Sequence, residues 1–152
     1  KIIIFTQHSV TTEFTESLGQ VEETIIALEN HPDTEIMCFF SNTDAGGKKI
    51  IERIGEQKNF IKIPNMVSHD FLSMMSHASL MIGNSSAGLR EAPSFKLPVI
   101  NIGTRQNGRL RAKNVIDVDH DSDAINDAIK YCLYDDNFIN SLKDIENPYR
   151  FR

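Results

Sequence analysis

The stretch Met81-Ile-Gly-Asn-Ser-Ser-Ala-Gly-Leu-Arg-Glu-Ala-Pro-Ser-Phe95 decides the fold. With Leu80 ahead of it, the opening is a short apolar run bounded by glycine, the mark of a strand buried on both faces. Two serines and a run of helix formers follow without a loop between them. A buried strand turning directly into a helix is half of a strand–helix–strand unit.

Reading outward, the same alternation fills the chain. Strands are expected at residues 1–6, 35–40, 59–63, 80–83, 98–102 and 114–118. Helices are expected at 12–28, 48–54, 68–77, 86–95, from Ser122 or Asp123 to Tyr134, and at 137–145, before a polar tail. In the first helix Phe14, Leu18, Val21, Ile25 and Leu28 share one face. Asp44 or Thr43 is the expected cap of the second helix and Ser68 that of the third. Apolar strands joined by helices through short loops imply a parallel sheet covered on both sides. The expected fold is therefore α/β, a Rossmann-like doubly wound sheet in one domain of 152 residues.

Composition narrows the function. A net charge of −5 argues against a general nucleic-acid or anionic-membrane binder, which needs a basic face. No apolar run approaches the ~20 residues of a membrane helix. Cys38 and Cys132 lie in apolar surroundings and read as buried reduced thiols, with the cytoplasm as the matching compartment. The chain opens at Lys1-Ile-Ile-Ile-Phe5, a core strand without an initiating methionine, and reads as part of something longer.

Doubly wound sheets bind ligands beyond the carboxyl ends of their strands. The first such loop, Thr6-Gln-His-Ser-Val-Thr-Thr-Glu13, lacks the G-x-G-x-x-G of a nicotinamide enzyme and offers His8 and hydroxyls instead. At the fourth strand, Gly83-Asn-Ser85-Ser86-Ala87-Gly88 approaches the G-x-S-x-G nucleophile elbow but puts Ala87 where its second glycine belongs. The later acids and histidine that a triad needs, Asp117, Asp119 and His120, all fall on one loop. Two readings stay open. In one, Ser85 and Ser86 hold a phosphate at a helix start, Gly88 leaves room for close approach, and Glu91 accepts both hydroxyls of a ribose. In the other, a serine caps the helix and Glu91 is surface charge. The loop Gly103-Thr-Arg105-Gln-Asn-Gly108-Arg-Leu-Arg111 favours the phosphate, since it clusters three arginines on the ligand edge of an acidic protein.

Asp117-Val-Asp119-His-Asp121-Ser-Asp123 imitates a calcium loop, but Ser122 replaces its glycine and Ala128 its final glutamate. It reads as a polar connection with a helix cap. The histidines show no ligand spacing, and no metal or cofactor is expected.

Taken together, Gly83 to Phe95, Pro98-Val-Ile-Asn-Ile-Gly-Thr-Arg-Gln-Asn-Gly-Arg109 and Asn114-Val-Ile-Asp117 resemble the UDP-N-acetylglucosamine 2-epimerases. The resemblance runs from the His8 loop onward and covers only the C-terminal half of their two-domain GT-B-like fold. Within the family the chain looks like the hydrolysing branch, by its G-T-R-Q-x-G-R string and by His8-Ser-Val-Thr-Thr, with Ser9 where proline is usual. The resemblance implies UDP contacts at Ser85, Ser86, Glu91 and Arg105, a catalysis-supporting histidine at His8, and, with less support, a cleft wall at Asp44 to Gly46. It also implies anti elimination of UDP from UDP-GlcNAc or a related UDP-sugar, followed by hydration of a 2-acetamidoglucal to N-acetylmannosamine. The acid and base carboxylates would lie in an N-terminal domain absent from this chain, which alone would bind UDP without turnover. A homodimer is the implied assembly. A non-hydrolysing epimerase, a GT-B glycosyltransferase and a non-catalytic UDP-sugar-binding module are the alternatives.

Overall fold

In the computed structural model, residues 1–8, 16–39, 45–63, 66 and 68–149 are described. Six parallel strands make one sheet: β1 (Ile2–Thr6), β2 (Glu35–Phe39), β3 (Phe60–Ile63), β4 (Leu80–Gly83), β5 (Val99–Ile102) and β6 (Val115–Val118). Their order, β3-β2-β1-β4-β5-β6, is that of a Rossmann sheet. β1 pairs with β2 on one side and with β4 on the other, so strand order reverses between β1 and β4. The crevice outside that reversal is where this fold class receives ligands.

Alternation along the strands sorts side chains between two cores. Ile3, Phe5, Leu80, Ile82, Ile100 and Ile102 face one layer, built from α1 (Ser17–Glu29), α2 (Ala45–Gly55) and α5 (Ser122–Tyr134). Ile4, Met81 and Val99 face the other, where α3 (Ser68–His77) and the segment after β4 pack. The central strands are mostly apolar because both faces are covered; β4 is buried at all of its positions.

The expected elements are present, with differences at their ends. α1 is described from Ser17, and residues 12–15 of the expected helix lie outside the described residues. Val21, Ile25 and Leu28 are buried as expected, whereas Leu18 is 44% exposed. It sits in the first turn, one turn before the residues that reach the core; Phe14 lies outside the described residues. So do Thr43 and Asp44, the expected caps of α2, and the side chain of Ser68. α5 is capped by neither Ser122 nor Asp123 but by Asp121, whose Oδ2 accepts from the Ala124 amide at 3.3 Å. The last helix divides into α6 (Asp136–Ser141) and a 3-10 turn (Leu142–Asp144).

The largest difference falls on the deciding stretch itself. The expected helix 86–95 is α4 (Ala87–Arg90) followed by a 3-10 turn, Ala92–Phe95, with a break at Glu91. Pro93 is the cause, since it lacks an amide and disfavours α geometry in the residue before it. One turn of α-helix carries little dipole, so side chains and individual amides must supply most of any attraction for an anion.

Candidate functional site

β1, β4 and β5 end side by side, and each releases a segment toward the same corner. Gly83 makes the corner. Its φ is +138°, and a Cβ there would stand 1.8 Å from the Thr6 carbonyl oxygen. Only glycine lets β4 turn so close to the end of β1.

Asn84, 1% exposed, is the hub. Its amide donates to Thr6 O at 3.1 Å. Its side chain grips the backbone of His8 from both sides, Oδ1 accepting from His8 N at 2.7 Å and Nδ2 donating to His8 O at 2.8 Å. Its carbonyl accepts from Arg105 Nη1 at 3.0 Å and Gln106 Nε2 at 2.8 Å. One buried residue thus fixes the start of the His8 loop and the arginine loop against the serine corner. Beneath it, Thr24 Oγ1 donates to Gln7 Oε1 at 2.8 Å, so both buried side chains satisfy each other.

The two serines differ. Ser85 Oγ accepts from the Ala87 amide at 3.2 Å, so it is Ser85 that takes an amide at the helix start. Ser86 occupies the cap position but makes no side-chain cap bond. Glu91 is half-buried rather than a surface charge. Its Oε2 is buried with no hydrogen-bond partner among the described residues. Burial raises its pKa above the ordinary value, against a smaller opposing pull from Arg90. At Gly88 a Cβ would lie 2.8 Å from Val99 Cγ1, so the missing side chain lets α4 pack onto β5.

The three arginines have separate work. Arg111 is braced, with Nη1 paired to Asp117 and Nη2 donating to Gln106 O at 2.6 Å. Asp117 in turn accepts from the buried Asn101 Nδ2 at 2.8 Å. Arg105 is exposed as a whole residue, yet partial burial, and then the Arg109 charge, lower the pKa of its guanidinium. A second positive charge felt at Arg105 favours an anion beside the pair. A cleft of about 500 Å³ opens on this loop, lined by Thr104, Asn107, Arg109, Arg111, Asp117 and Asp119. Ser85, Ser86, Glu91 and Arg105 are not among its lining residues.

The geometry therefore ties His8 and Arg105 to Asn84, next to Ser85 and Ser86, with Glu91 further on at the break after α4. Residues 9–15 and 40–44 and the side chains of Ala45 and Gly46 lie outside what is described. Sequence reasoning missed Asn84 and Gln106 as organisers. A signal existed in Asn84, a polar residue directly after a buried strand and its glycine. The acids of the false calcium loop have other roles, Asp117 in the Arg111 brace and Asp121 in the cap of α5. Among the described residues no group of three or more His, Cys, Asp or Glu could hold a metal ion. No helix among them is long and apolar enough to cross a membrane. Cys38 and Cys132 are free and buried, their thiols pushed up to about 12 by desolvation.

Comparison with known proteins bears on what binds here. The family described as UDP-N-acetylglucosamine 2-epimerase matches residues 1–151. Polysialic acid biosynthesis protein P7 of Escherichia coli is 32% identical over 152 residues, covering 97% of this chain and 38% of that protein. A UDP-N,N'-diacetylbacillosamine 2-epimerase (hydrolyzing) of Legionella pneumophila is 36% identical over 139 residues, 88% of this chain and 36% of its own length. The chain thus spans little more than a third of either relative. Among solved structures, the UDP-GlcNAc 2-epimerase from Neisseria meningitidis bound to UDP-GlcNAc superimposes with a TM-score of 0.79 at 19% identity, covering 98% of this chain and 41% of that one. At that identity the likeness speaks for the fold alone.

Proposed function

Because this chain belongs to the UDP-N-acetylglucosamine 2-epimerase family, we propose that it is the C-terminal, UDP-binding domain of a hydrolysing UDP-GlcNAc 2-epimerase. The observation that carries the reading is the convergence on Asn84, which draws the His8 loop, the serine corner and Arg105 into one constellation. The hydrolysing assignment is supported by the printed activity of the Legionella relative and by the His8-Ser-Val-Thr-Thr and G-T-R-Q strings.

In this reading Ser86, whose hydroxyl makes no cap bond, and Arg105 hold the diphosphate. Glu91 accepts the ribose hydroxyls, whose donated hydrogen bonds stabilise its charged form against the burial that opposes it. The reaction removes the C2 proton and expels UDP, giving 2-acetamidoglucal. Water then adds at the anomeric carbon and a proton returns to C2 from the other face. The products are N-acetylmannosamine and UDP. As the bond to UDP breaks, charge grows on the departing phosphate, and the Arg105 guanidinium and serine hydroxyls lie where they stabilise it. His8 supports that departure from the β1 side. The carboxylates that move the C2 proton belong to the rest of the protein, and this domain alone binds UDP without turnover. The enzyme acts as a homodimer in the cytoplasm, where thiols such as Cys38 and Cys132 stay reduced.

Product analysis of the complete protein with UDP-GlcNAc and its 2,4-diacetamido-trideoxy relative tests this. Free 2-epimeric sugar plus UDP is the expected result. An intact UDP-sugar epimer would make it non-hydrolysing, and transfer to an acceptor would make it a glycosyltransferase. Binding without reaction would leave a UDP-sugar-binding module. Calorimetry with UDP, uridine and ADP, on wild type, Ser86→Ala and Glu91→Ala, checks the binding site separately; UDP binds best, and both substitutions weaken it.

A further inference from the structure

The last residues before Arg150 read as a polar tail in the sequence, but they form a strap across the site's outer wall. Ile145 is buried in the main core, and its carbonyl accepts from Lys96 Nζ. Asn147 Nδ2 donates to Arg90 O at 2.7 Å and to Ser94 Oγ at 2.8 Å. Asn147 Oδ1 accepts from the Tyr149 amide at 2.8 Å, a short turn that sets the direction of the tyrosine. The Tyr149 hydroxyl then donates to Leu110 O at 2.6 Å.

The two anchor points carry the meaning. Arg90 and Ser94 flank Glu91, at the break between α4 and the 3-10 turn. Leu110 lies between Arg109 and Arg111, on the loop that holds Arg105. On the inner side, Asn84 O ties the arginine loop to the serine corner by accepting from Arg105 and Gln106. On the opposite flank, the arginine loop is braced by Asp117 through Arg111.

We propose that Asn147 and Tyr149 are positioning residues: the strap fixes the distance between the Glu91 turn and the arginine loop. Resting on the reading of this edge as a UDP site, it spaces a ribose-binding carboxylate from a diphosphate-binding guanidinium. Neither side chain needs to touch the nucleotide. A ligand that spans both segments depends on the spacing, whereas one that occupies only the Glu91 side does not.

The experiment uses the complete protein with Tyr149→Phe, which removes one hydroxyl and keeps the ring, and Asn147→Ala. Hydrogen exchange of the amides in residues 104–111 is measured without nucleotide, alongside affinities for UDP and for uridine. The expected result is faster exchange in that loop and UDP binding weakened about two- to tenfold, the scale of one hydrogen bond, with uridine binding unchanged. Equal losses for UDP and uridine would mean general loosening and would overturn the proposal. Unchanged exchange in 104–111 would overturn it whatever happens to affinity. Should wild type not distinguish UDP from uridine, the nucleotide reading fails, and the exchange result still decides whether the strap holds the loop.

Discussion

The serine corner and the arginine loop stand on the same edge of the sheet and are built in opposite ways. The corner is set by backbone: a glycine at φ +138° pressed on Thr6, then a buried asparagine whose amide, carbonyl and side chain are all engaged. The loop at residues 103–111 is longer and is held largely by side chains, through Arg105, Gln106, Arg111 and the hydroxyl of Tyr149. The corner should therefore fail as a unit with the fold, while the loop should loosen with the fold intact.

The sharpest way to break that contrast is Gly83→Ala. The added carbon meets a carbonyl that belongs to the central strand, and no rotamer relieves it. A loss of about 4 kcal/mol or more in denaturant unfolding is expected, or failure to fold. If Gly83→Ala unfolds like wild type, the corner is not backbone-determined.

Next comes Asn84→Ala, which removes the two side-chain hydrogen bonds that grip the part-buried His8 backbone. The expected loss is about 2–3 kcal/mol in the same measurement. UDP affinity should fall as well, because the His8 loop is released.

Asp117→Asn tests the loop. The pair with Arg111 is partly exposed, so stability should change by only about 1 kcal/mol or less. UDP affinity by calorimetry should nonetheless fall severalfold, since Arg111 no longer steadies Gln106. A stability loss matching that of Asn84→Ala would erase the contrast.

Glu91→Gln has the smallest effect on folding, and its sign is opposite. Burial raises the folded pKa above the ordinary 4.5, so in the window just above 4.5 the folded chain holds more protons than the unfolded chain. Stability then falls as pH climbs through that window, and the penalty persists above it. Glu91→Gln should raise the melting temperature slightly at neutral pH and remove that slope, while weakening UDP binding. A melting temperature that drops at neutral pH would show that the carboxylate stabilises the fold.

The same division explains what the sequence disclosed. The strands were legible because a sheet covered on both faces demands unbroken apolar runs, and Leu80-Met-Ile-Gly83 admits little else. The corner was legible for a related reason, since glycine and serine after such a run act locally. The break at Glu91 was in plain view as Pro93, but the helical pattern outweighed it. What stayed hidden was non-local. Nothing near residue 147 says that its amide will reach Arg90, and nothing near Arg111 says that Asp117 rather than a ligand will take its charge. The packing role of Gly88 was hidden as well, because its neighbour, Val99, arrives from the next strand.

The order of the strands also has a consequence in time. β1 finds β4 only from Ile3↔Leu80 to Thr6↔Gly83, and β4 finds β5 from Met81↔Val99 onward. Among the described residues every strand pairing is parallel, so no hairpin gives the sheet an early local start, and each pairing must close a loop first, which slows folding. During synthesis β1 emerges apolar and waits until Leu80 for β4, its partner on the other side. A nascent chain that stops before Gly83 lacks the Thr6↔Gly83 pair that makes the corner, so this edge of the sheet forms late.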